Sequence, residues 1–142
     1  MIAVDTNILV HAFAATSPLH SQAKAAIAGV ANSPSAWAIP WPCIHEFYGV
    51  ATNQKLLKAP GIGESALAQI TEWMRSPSLE LLSESPNHWR TLERLLRSSG
   101  VTGPRVHDAK IAAICLDRGV GELLTLDRDF ERFAGLSVRR LT

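Results

Sequence analysis

The sequence has few cysteines, and they form no pattern typical of a disulfide framework or a zinc site. Among 142 residues only Cys43 and Cys115 are present, and neither belongs to a CxxC pair or lies at ligand spacing from a histidine. A chain of this length can bury one hydrophobic core without disulfides or a structural metal. We therefore expect one domain over residues 1–142, with both thiols reduced and packed in its interior.

Long hydrophobic runs are also lacking. Hydrophobic residues make up 46% of the chain, yet no stretch reaches the about 18 uninterrupted apolar residues that a membrane helix needs. The first apolar run ends at Asp5 and has no basic segment before it, which argues against a signal peptide. We expect a cytoplasmic protein with no membrane partner. Charge is almost balanced, with 14 Lys and Arg against 13 Asp and Glu, so a nucleic-acid partner is neither required nor excluded.

Short apolar segments alternate with helical patterns along the chain. The apolar segments predict strands at 2–5, 36–40, 79–82, 123–126 and 137–140. Apolar spacing and end signals predict helices at 18–31, 64–75, 86–99 and 105–118, a short helix after Pro42, and a loop over 52–63. This alternation indicates an α/β fold in which a mostly parallel sheet is covered by helices on both faces.

Serine–proline pairs and glycines indicate where helices begin and end. Ser17-Pro18 and Ser85-Pro86 each predict an N-cap followed by proline at the first helical position. Gly100 and Gly119 predict the ends of two helices. Each signal has a backbone cause, because the serine hydroxyl can accept from a free N–H group and glycine tolerates positive φ.

Basic and aromatic residues on the predicted helices have both a structural and a nucleic-acid interpretation. The helix at 86–99 carries three arginines on one face, Arg90, Arg94 and Arg97, which is more typical of a solvated surface than of a phosphate-contacting stripe. The tryptophans are Trp37, Trp41, Trp73 and Trp89. We expect them to pack in the core rather than to stack on bases.

Four acidic residues occupy positions where a lone carboxylate is costly. Asp5 and Asp127 each end an apolar strand, while Glu46 and Asp108 lie in the first turns of predicted helices among small or apolar neighbours and are expected to face inward. Parallel strands bring their carboxyl ends to one edge of the sheet, where open α/β sheets bind ligands. At about 5 Å, two carboxylates repel by about 3 kcal/mol at an effective dielectric near 20, which a shared cation would remove. An all-oxygen ligand set favours Mg²⁺ or Mn²⁺ over zinc.

Each acid alone also has a structural explanation. Asp5 precedes Thr6 and Asn7 and can cap a helix that follows, and Asp108 is favoured by the positive end of the helix dipole. Either Asp127 or Asp129 caps the short turn before Phe130, so either can be the fourth acid, and we favour Asp127. The combination is more specific than any single member, because independent caps need not all lie at one edge of a sheet.

Four segments resemble, in order and spacing, the acidic motifs of PIN-domain ribonucleases. They are Val4-Asp5-Thr6-Asn7-Ile8-Leu9, His45-Glu46-Phe47, His107-Asp108-Ala109-Lys110-Ile111-Ala112-Ala113 and Leu124-Thr125-Leu126-Asp127-Arg128-Asp129-Phe130. The likeness covers nearly the whole chain, and its length is similar to that of VapC-type toxins of bacterial toxin–antitoxin pairs. The resemblance implies a three-layer fold with a five-stranded parallel sheet, Mg²⁺ or Mn²⁺ at an acidic pocket, endonuclease action on RNA, a homodimer and a cognate antitoxin.

The same resemblance assigns roles to individual residues. By matching motif, the catalytic, metal-binding acids are Asp5, Glu46, Asp108 and Asp127, supported by Asn7, Thr125 and Asp129. Many relatives have Asn where Asp127 stands, so this position either binds metal or orients water or substrate. Thr6 and Thr125 are expected to donate hydrogen bonds to the acids.

The leading hypothesis is hydrolysis of an RNA phosphodiester by a metal-activated water attacking in line, without a covalent enzyme intermediate. Arg105, Lys110 and Arg128 lie close in sequence to the acids and are candidates for contacts with backbone phosphates, although each alone is more typical of a solvated surface charge. His45 and His107 precede acids and are candidates for proton transfer, although a metal-activated water does not require an imidazole.

Two other functions have some support from the same residues. A phosphatase using Asp5 as nucleophile is disfavoured, because Asn7 replaces the usual partner acid. A non-catalytic Mg²⁺-binding signalling or scaffold domain is disfavoured because the strand at 79–82 ends without an acid to receive a phosphate. The antitoxin is expected to use an apolar groove on 18–31 and 64–75, although packing within a monomer or dimer explains those apolar residues equally well.

Overall fold

The structure, a computed structural model, describes residues 1–53 and 59–141. Its strands are β1 (Ile2–Val4), β2 (Trp37–Pro40), β3 (Leu79–Leu82), β4 (Glu122–Leu124) and β5 (Ser137–Arg139). Its α-helices are α1 (Thr6–Phe13), α2 (His20–Ala31), α3 (Trp41–Ala51), α4 (Ile62–Met74), α5 (His88–Ser99) and α6 (Val106–Asp117). Short 3₁₀ turns span Gly103–Arg105 and Arg128–Arg132. The predicted loop at 52–63 lies partly outside the described residues, and α4 already begins within it.

All five strands are parallel and are ordered β3-β2-β1-β4-β5. The chain moves outward from β1 to β2 and β3, then returns to β4 on the other side of β1, so its direction reverses between β1 and β4. Right-handed crossovers therefore place α1–α4 on one face and α5 and α6 on the other. The helix packing agrees, because α1 contacts α2 and α3, α3 contacts α4, and α5 contacts α6. The predicted three-layer α/β fold is confirmed.

The core lies on both faces of the central strands. Ala3, Val4, Ala38 and Leu123 are fully buried, as expected for a parallel sheet covered by two helical layers. Cys43 and Cys115 are free thiols within this core, as predicted. No helix in the described part of the chain combines the length and apolarity needed to cross a membrane.

Two helices begin later than the serine–proline pairs predicted. The Ser17 hydroxyl accepts a hydrogen bond from the N–H of Leu19 at 3.0 Å, and the Ser85 hydroxyl accepts from the N–H of Asn87 at 3.1 Å. Leu19 and Asn87 are the actual N-caps, and neither makes a side-chain capping bond. The prediction was wrong because each serine closes a turn with the second residue after it, before the helix starts. Gly100 ends α5 at a φ of 71°, as predicted.

The tryptophan prediction holds for two residues and fails for one. Trp37 and Trp73 are buried and Trp41 is partly buried, but Trp89 is 64% exposed. Helix α5 packs through Thr91, Leu92 and Leu95, and Trp89 lies outside that arc. The three arginines of the predicted basic face are exposed, as expected for a solvated surface.

Candidate active site: an acidic cavity at the carboxyl edge of the sheet

The reversal of the chain between β1 and β4 creates a cavity of about 280 Å³ at the carboxyl ends of these strands. Such reversal points are where open α/β sheets bind ligands. The N–H of Asp5 donates to the carbonyl of Leu124 at 3.0 Å, which holds the two strand ends together. The cavity is lined by Asp5, Thr6, Asn7, Val10, His11, Glu46, Val50, Asp108, Ile111, Asp127 and Phe130. All four acids that the sequence singled out are therefore in its wall.

Asp5 is the most buried of these acids, with 5% of its surface exposed. Its Oδ1 accepts from the N–H of Thr6 at 2.8 Å, so it caps α1, and also from the Cys43 thiol at 3.7 Å. Its Oδ2 accepts from the Thr125 hydroxyl at 2.7 Å and from the Asn7 amide at 3.3 Å. Asp5 therefore both caps α1 and lines the cavity, two roles that the sequence left as alternatives.

Burial raises the pKa of Asp5 from 3.8 to about 6. The hydrogen bonds from Thr125 and from the N–H of Thr6 lower it in part, and the charge of Glu46 raises it further. An ionised carboxylate in this position is therefore costly unless a cation lies beside it.

Thr125 and Asn7 fix the two strand ends relative to each other. The buried Thr125 hydroxyl accepts from the Asn7 amide at 3.2 Å and from the N–H of Asp127 at 3.1 Å. The side-chain oxygen of Asn7, Oδ1, accepts from the N–H of Leu126 at 3.2 Å. These bonds join α1 to the segment after β4, so the predicted supporting residues connect Asp5 to Asp127.

Glu46 lines the cavity from its rim. Its Oε2 accepts from the Thr6 hydroxyl at 3.3 Å, but the residue is exposed. The expectation that Glu46 faces inward was wrong, because α3 packs into the core through Cys43, Ile44 and Phe47. Exposure keeps this carboxylate hydrated and leaves it accessible from outside.

Arg105 lies among the remaining acids. Its Nη1 is 3.2 Å from Asp108 Oδ2 and 3.9 Å from Asp127 Oδ2, and its Nη2 pairs with Asp129. Burial raises the pKa of Asp108, and the charge of Asp127 raises it further, whereas Arg105 opposes both effects. The guanidinium thus neutralises part of the charge that the acids concentrate here. Arg105 is exposed, and its contact with a backbone phosphate stays a prediction.

Asp127 and Asp129 have different positions. Asp127 lines the cavity, and its Oδ1 caps the 3₁₀ turn by accepting from the N–H of Asp129 at 2.9 Å. Asp129 is not in the cavity wall, and its carboxylate faces Arg105 and Arg132. The geometry therefore favours Asp127 over Asp129 as the acid that can reach a ligand in the cavity.

The donor chemistry of the cavity fits a hard divalent cation, because its ionisable donors are mainly carboxylate oxygens. In their present rotamers, however, the described residues provide no group of three His, Cys, Asp or Glu side chains arranged around one ion. The four carboxylates form two separate pairs instead. Thr6 hydrogen-bonds Asp5 and Glu46, and Arg105 joins Asp108 to Asp127. Glu46 and Asp108 are less buried than Asp5, so their carboxylates have more freedom to turn toward a shared ion.

The other predicted residues lie outside the cavity. Lys110, His45 and His107 line a larger groove of about 760 Å³ beside it. Arg128 is exposed at the start of the 3₁₀ turn and lines neither space.

His11, in the cavity wall, and Cys43, which contacts Asp5, were not assigned to the site from the sequence. His11 lines the cavity, and its Nδ1 is 2.6 Å from the Ser17 hydroxyl. His11 lies four residues after Asn7, and this spacing places both residues on one face of α1. The spacing was not used because a helix at this position was considered only as the alternative in which Asp5 is a helix cap. The contact of Cys43 with Asp5 was also missed, although Cys43 lies one helical turn before Glu46.

Comparison with known proteins agrees with this geometry. The PIN domain model matches residues 2–136. Ribonuclease VapC33 of Mycobacterium tuberculosis is 30% identical over 136 residues, covering 96% of this chain and 94% of the relative. The structure of VapBC2 from Rickettsia felis, bound to a DNA fragment from its promoter, matches at a TM-score of 0.72 with 20% identity and covers all of both chains. That of M. tuberculosis VapC20, described as a toxin that cleaves the sarcin–ricin loop, matches at 0.70 with 20% identity over 98% of this chain and 99% of VapC20. The chain belongs to the PIN domain family.

Proposed function

We propose that this protein is a Mg²⁺- or Mn²⁺-dependent endoribonuclease that hydrolyses RNA phosphodiester bonds and acts as the toxin of a toxin–antitoxin pair. One observation carries the proposal. Asp5, Glu46, Asp108 and Asp127 come from four separate segments and line a single cavity at the carboxyl edge of a PIN-domain sheet. Similarity to proteins named as VapC ribonucleases supports the choice of RNA.

The metal-binding role is assigned to the four cavity acids. Asp5 is the fixed member, because four donors hold its two oxygens. Glu46 and Asp108 are less buried and can rotate toward an ion, and Asp127 contributes the oxygen that does not cap the 3₁₀ turn. When bound, a divalent ion supplies an activated water nucleophile and neutralises negative charge at the phosphate.

Thr125, Thr6 and Asn7 position these acids and do not react. Their hydrogen bonds fix the Asp5 carboxylate, so ordering this one ligand costs little free energy when substrate arrives. Cys43, the thiol nearest to Asp5, is not a plausible nucleophile, because burial raises its pKa well above 9.0 and the Asp5 charge raises it further. The chain's own groups therefore favour direct attack by water over a covalent intermediate.

The deciding experiment is cleavage of end-labelled RNA with and without Mg²⁺. We expect cleavage by the wild type, its loss on chelation, and a loss of at least about a hundredfold in Asp5→Ala and Asp108→Ala, because each removes a proposed ligand. Glu93→Gln on α5 is the matched control, since its carboxylate lies at the surface, 3.6 Å from Arg97, and does not line the cavity. Circular dichroism establishes that each variant folds. Unchanged cleavage in both site variants would contradict the assignment, and a folded wild type that binds Mg²⁺ but cleaves no RNA would favour the scaffold alternative.

The antitoxin is proposed to bind an apolar surface that we call the α3–α4 patch, made of Tyr48, Leu67 and Met74. These three side chains are exposed. Leu67 and Met74 belong to the apolar spacing that predicted this helix, but α4 packs into the core through Ala66 and Trp73. The expected contribution from 18–31 was wrong for Ile27, which is buried with Val30 in the core. The two helices that carry these side chains are in contact, and exposed apolar side chains on adjacent helices are typical of a protein interface.

Co-expression with the small product of a neighbouring gene tests this part. Leu67→Glu is expected to abolish co-purification, whereas Trp89→Glu, which also places a charge at an exposed apolar residue, is expected to have no effect. The opposite ranking would place the antitoxin elsewhere. Light scattering of the free protein tests the proposed homodimer, and a monomer at micromolar concentration would count against it.

A further inference from the structure

A groove of about 760 Å³ adjoins the acidic cavity. One wall comes from the start of α3 and carries Trp41 and His45, and the other comes from α6 and carries His107 and Lys110. Glu46 and Ile111 line both the groove and the cavity. A chain-like ligand in the groove would therefore run directly into the cluster of carboxylates. We call this space the α3–α6 groove.

The two walls carry complementary chemistry. Trp41 is partly buried directly after β2, and its ring lies 6.0 Å from that of His45 at an interplanar angle of 30°. The wall formed by α3 therefore carries two neighbouring aromatic rings. On the other wall Lys110 is partly buried, two residues after Asp108, so α6 directs a carboxylate to the cavity and an ammonium to the groove.

Aromatic rings combined with a cation are what single-stranded nucleic acid binds, because every base has a face that stacks and every linkage carries a negative charge. The volume also falls within the about 300–1,000 Å³ typical of small-ligand sites, enough for a nucleotide. Among the described residues that line the groove, the acids are the shared Glu46 and Glu84, and Glu84 lies 3.6 Å from His88. The groove thus offers aromatic rings and a cation, with few acids to repel a phosphate.

We propose that the α3–α6 groove binds a nucleotide of single-stranded RNA next to the scissile phosphate, with its base stacked on Trp41 and its phosphate paired with Lys110. This rests on the proposed nuclease function and extends it to the recognition of unpaired RNA. Trp41 and Lys110 are binding residues in this scheme, not members of the reacting set, so their loss should raise KM and leave kcat nearly unchanged.

The test uses full-length protein and a fluorescein-labelled 12-nucleotide single-stranded RNA of mixed sequence, with anisotropy titrations in EDTA. Trp41→Leu removes the aromatic face and is expected to weaken binding about ten- to a hundredfold. Trp41→Phe keeps a ring and should retain most of the affinity. Lys110→Met should weaken binding and reduce the slope of log K against log salt by about 1, because one phosphate contact is lost.

The chain offers a matched control for each change. Trp89→Leu alters an exposed tryptophan on α5, and Lys24→Met removes an exposed lysine on α2. Neither residue lines the groove, so neither variant should change affinity, salt slope or KM. If Trp41→Leu does not fold, the comparison of Trp41→Phe with Lys110→Met still decides the matter, because only the lysine variant should lose affinity.

The outcomes separate this proposal from the proposed function. Wild-type cleavage with unchanged affinity and KM in Trp41→Leu and Lys110→Met would overturn the groove and leave the nuclease intact. Absence of all cleavage, with affinity still lost in those variants, would support the groove and contradict the nuclease. Conversion of a dimer to a monomer by Trp41→Leu, with RNA affinity unchanged, would make the groove a subunit contact and overturn the proposal.

Discussion

The buried carboxyl of Asp5 predicts an unusual dependence of stability on pH. Its pKa is about 6 in the folded protein against 3.8 for an exposed aspartate. A carboxyl group whose pKa is raised by folding makes its full contribution to stability at pH values below its pKa in the unfolded chain. This contribution is lost as the pH rises through its pKa in the folded protein. The full effect is about 3 kcal/mol in the free energy of unfolding, and about 2 kcal/mol of it is lost between about pH 4.5 and 7.5.

Asp5→Asn removes the titration while keeping the shape of the side chain. The asparagine oxygen can still accept from the N–H of Thr6, but its amide nitrogen would meet the Thr125 hydroxyl and the Asn7 amide, which are both donors to Asp5. The variant is therefore expected to be less stable than the wild type near pH 4.5. Its disadvantage should shrink by about 2 kcal/mol toward pH 7.5, because only the wild type must then bury a charge.

Urea unfolding in EDTA, followed by tryptophan fluorescence, measures this difference across the pH range. The free energy of unfolding of Glu93→Gln should change with pH as that of the wild type does, since the Glu93 carboxylate is on the surface. Adding Mg²⁺ near pH 7.5 should stabilise the wild type more than Asp5→Asn, because the ion removes the cost of the charge. If the wild type and Asp5→Asn differ by the same free energy at every pH, the reasoning about Asp5 is wrong.

Three further changes test the rest of the site. Arg105→Gln removes the cation that neutralises Asp108 and Asp127, so Mn²⁺ should bind severalfold more tightly in a Mn²⁺-dependent thermal-shift titration; unchanged affinity would show that the guanidinium does not compete. Thr125→Val leaves Asp5 Oδ2 without its shortest hydrogen bond and should cost about 1–3 kcal/mol in urea unfolding, and a loss too small to measure would count against the network. Asp127→Ala should reduce RNA cleavage more than Asp129→Ala, because only Asp127 lines the cavity, and the reverse ranking in a cleavage assay would assign the fourth acid to Asp129.

The strands were predicted to within two residues at each end because their causes are mostly local. β1, β2 and β4 contain short apolar runs buried on both faces of the sheet, and Asp5 and Thr125 follow β1 and β4 directly. Helix starts were less predictable, since Ser17 and Ser85 can either cap a helix or close a turn before it, and distant packing decides between the two. Trp89 shows the same limit, because apolar character alone does not tell which arc of α5 meets the core.

The sequence indicated which acidic residues lie together at the edge of the sheet. It did not indicate how exposed their side chains are or with which cations they pair. Arg105 lies only three residues before Asp108, yet its pairing with Asp129 joins segments 24 residues apart and depends on how the 3₁₀ turn after β4 packs. The exposure of Glu46 likewise depends on which face of α3 the core takes. Such contacts are set by tertiary structure, which local patterns do not encode.

The strands that hold Asp5 and Asp127 pair across most of the described sequence, and this has a consequence for folding. The Thr125 hydroxyl that binds Asp5 lies 120 residues further along the chain. A chain in which β1 and β4 have not yet paired therefore has no complete acidic cavity, because Asp5 and Asp127 line it from these two segments. Fragments ending before β4 would lack that cavity, so any activity of the site would depend on the pairing of two distant strands.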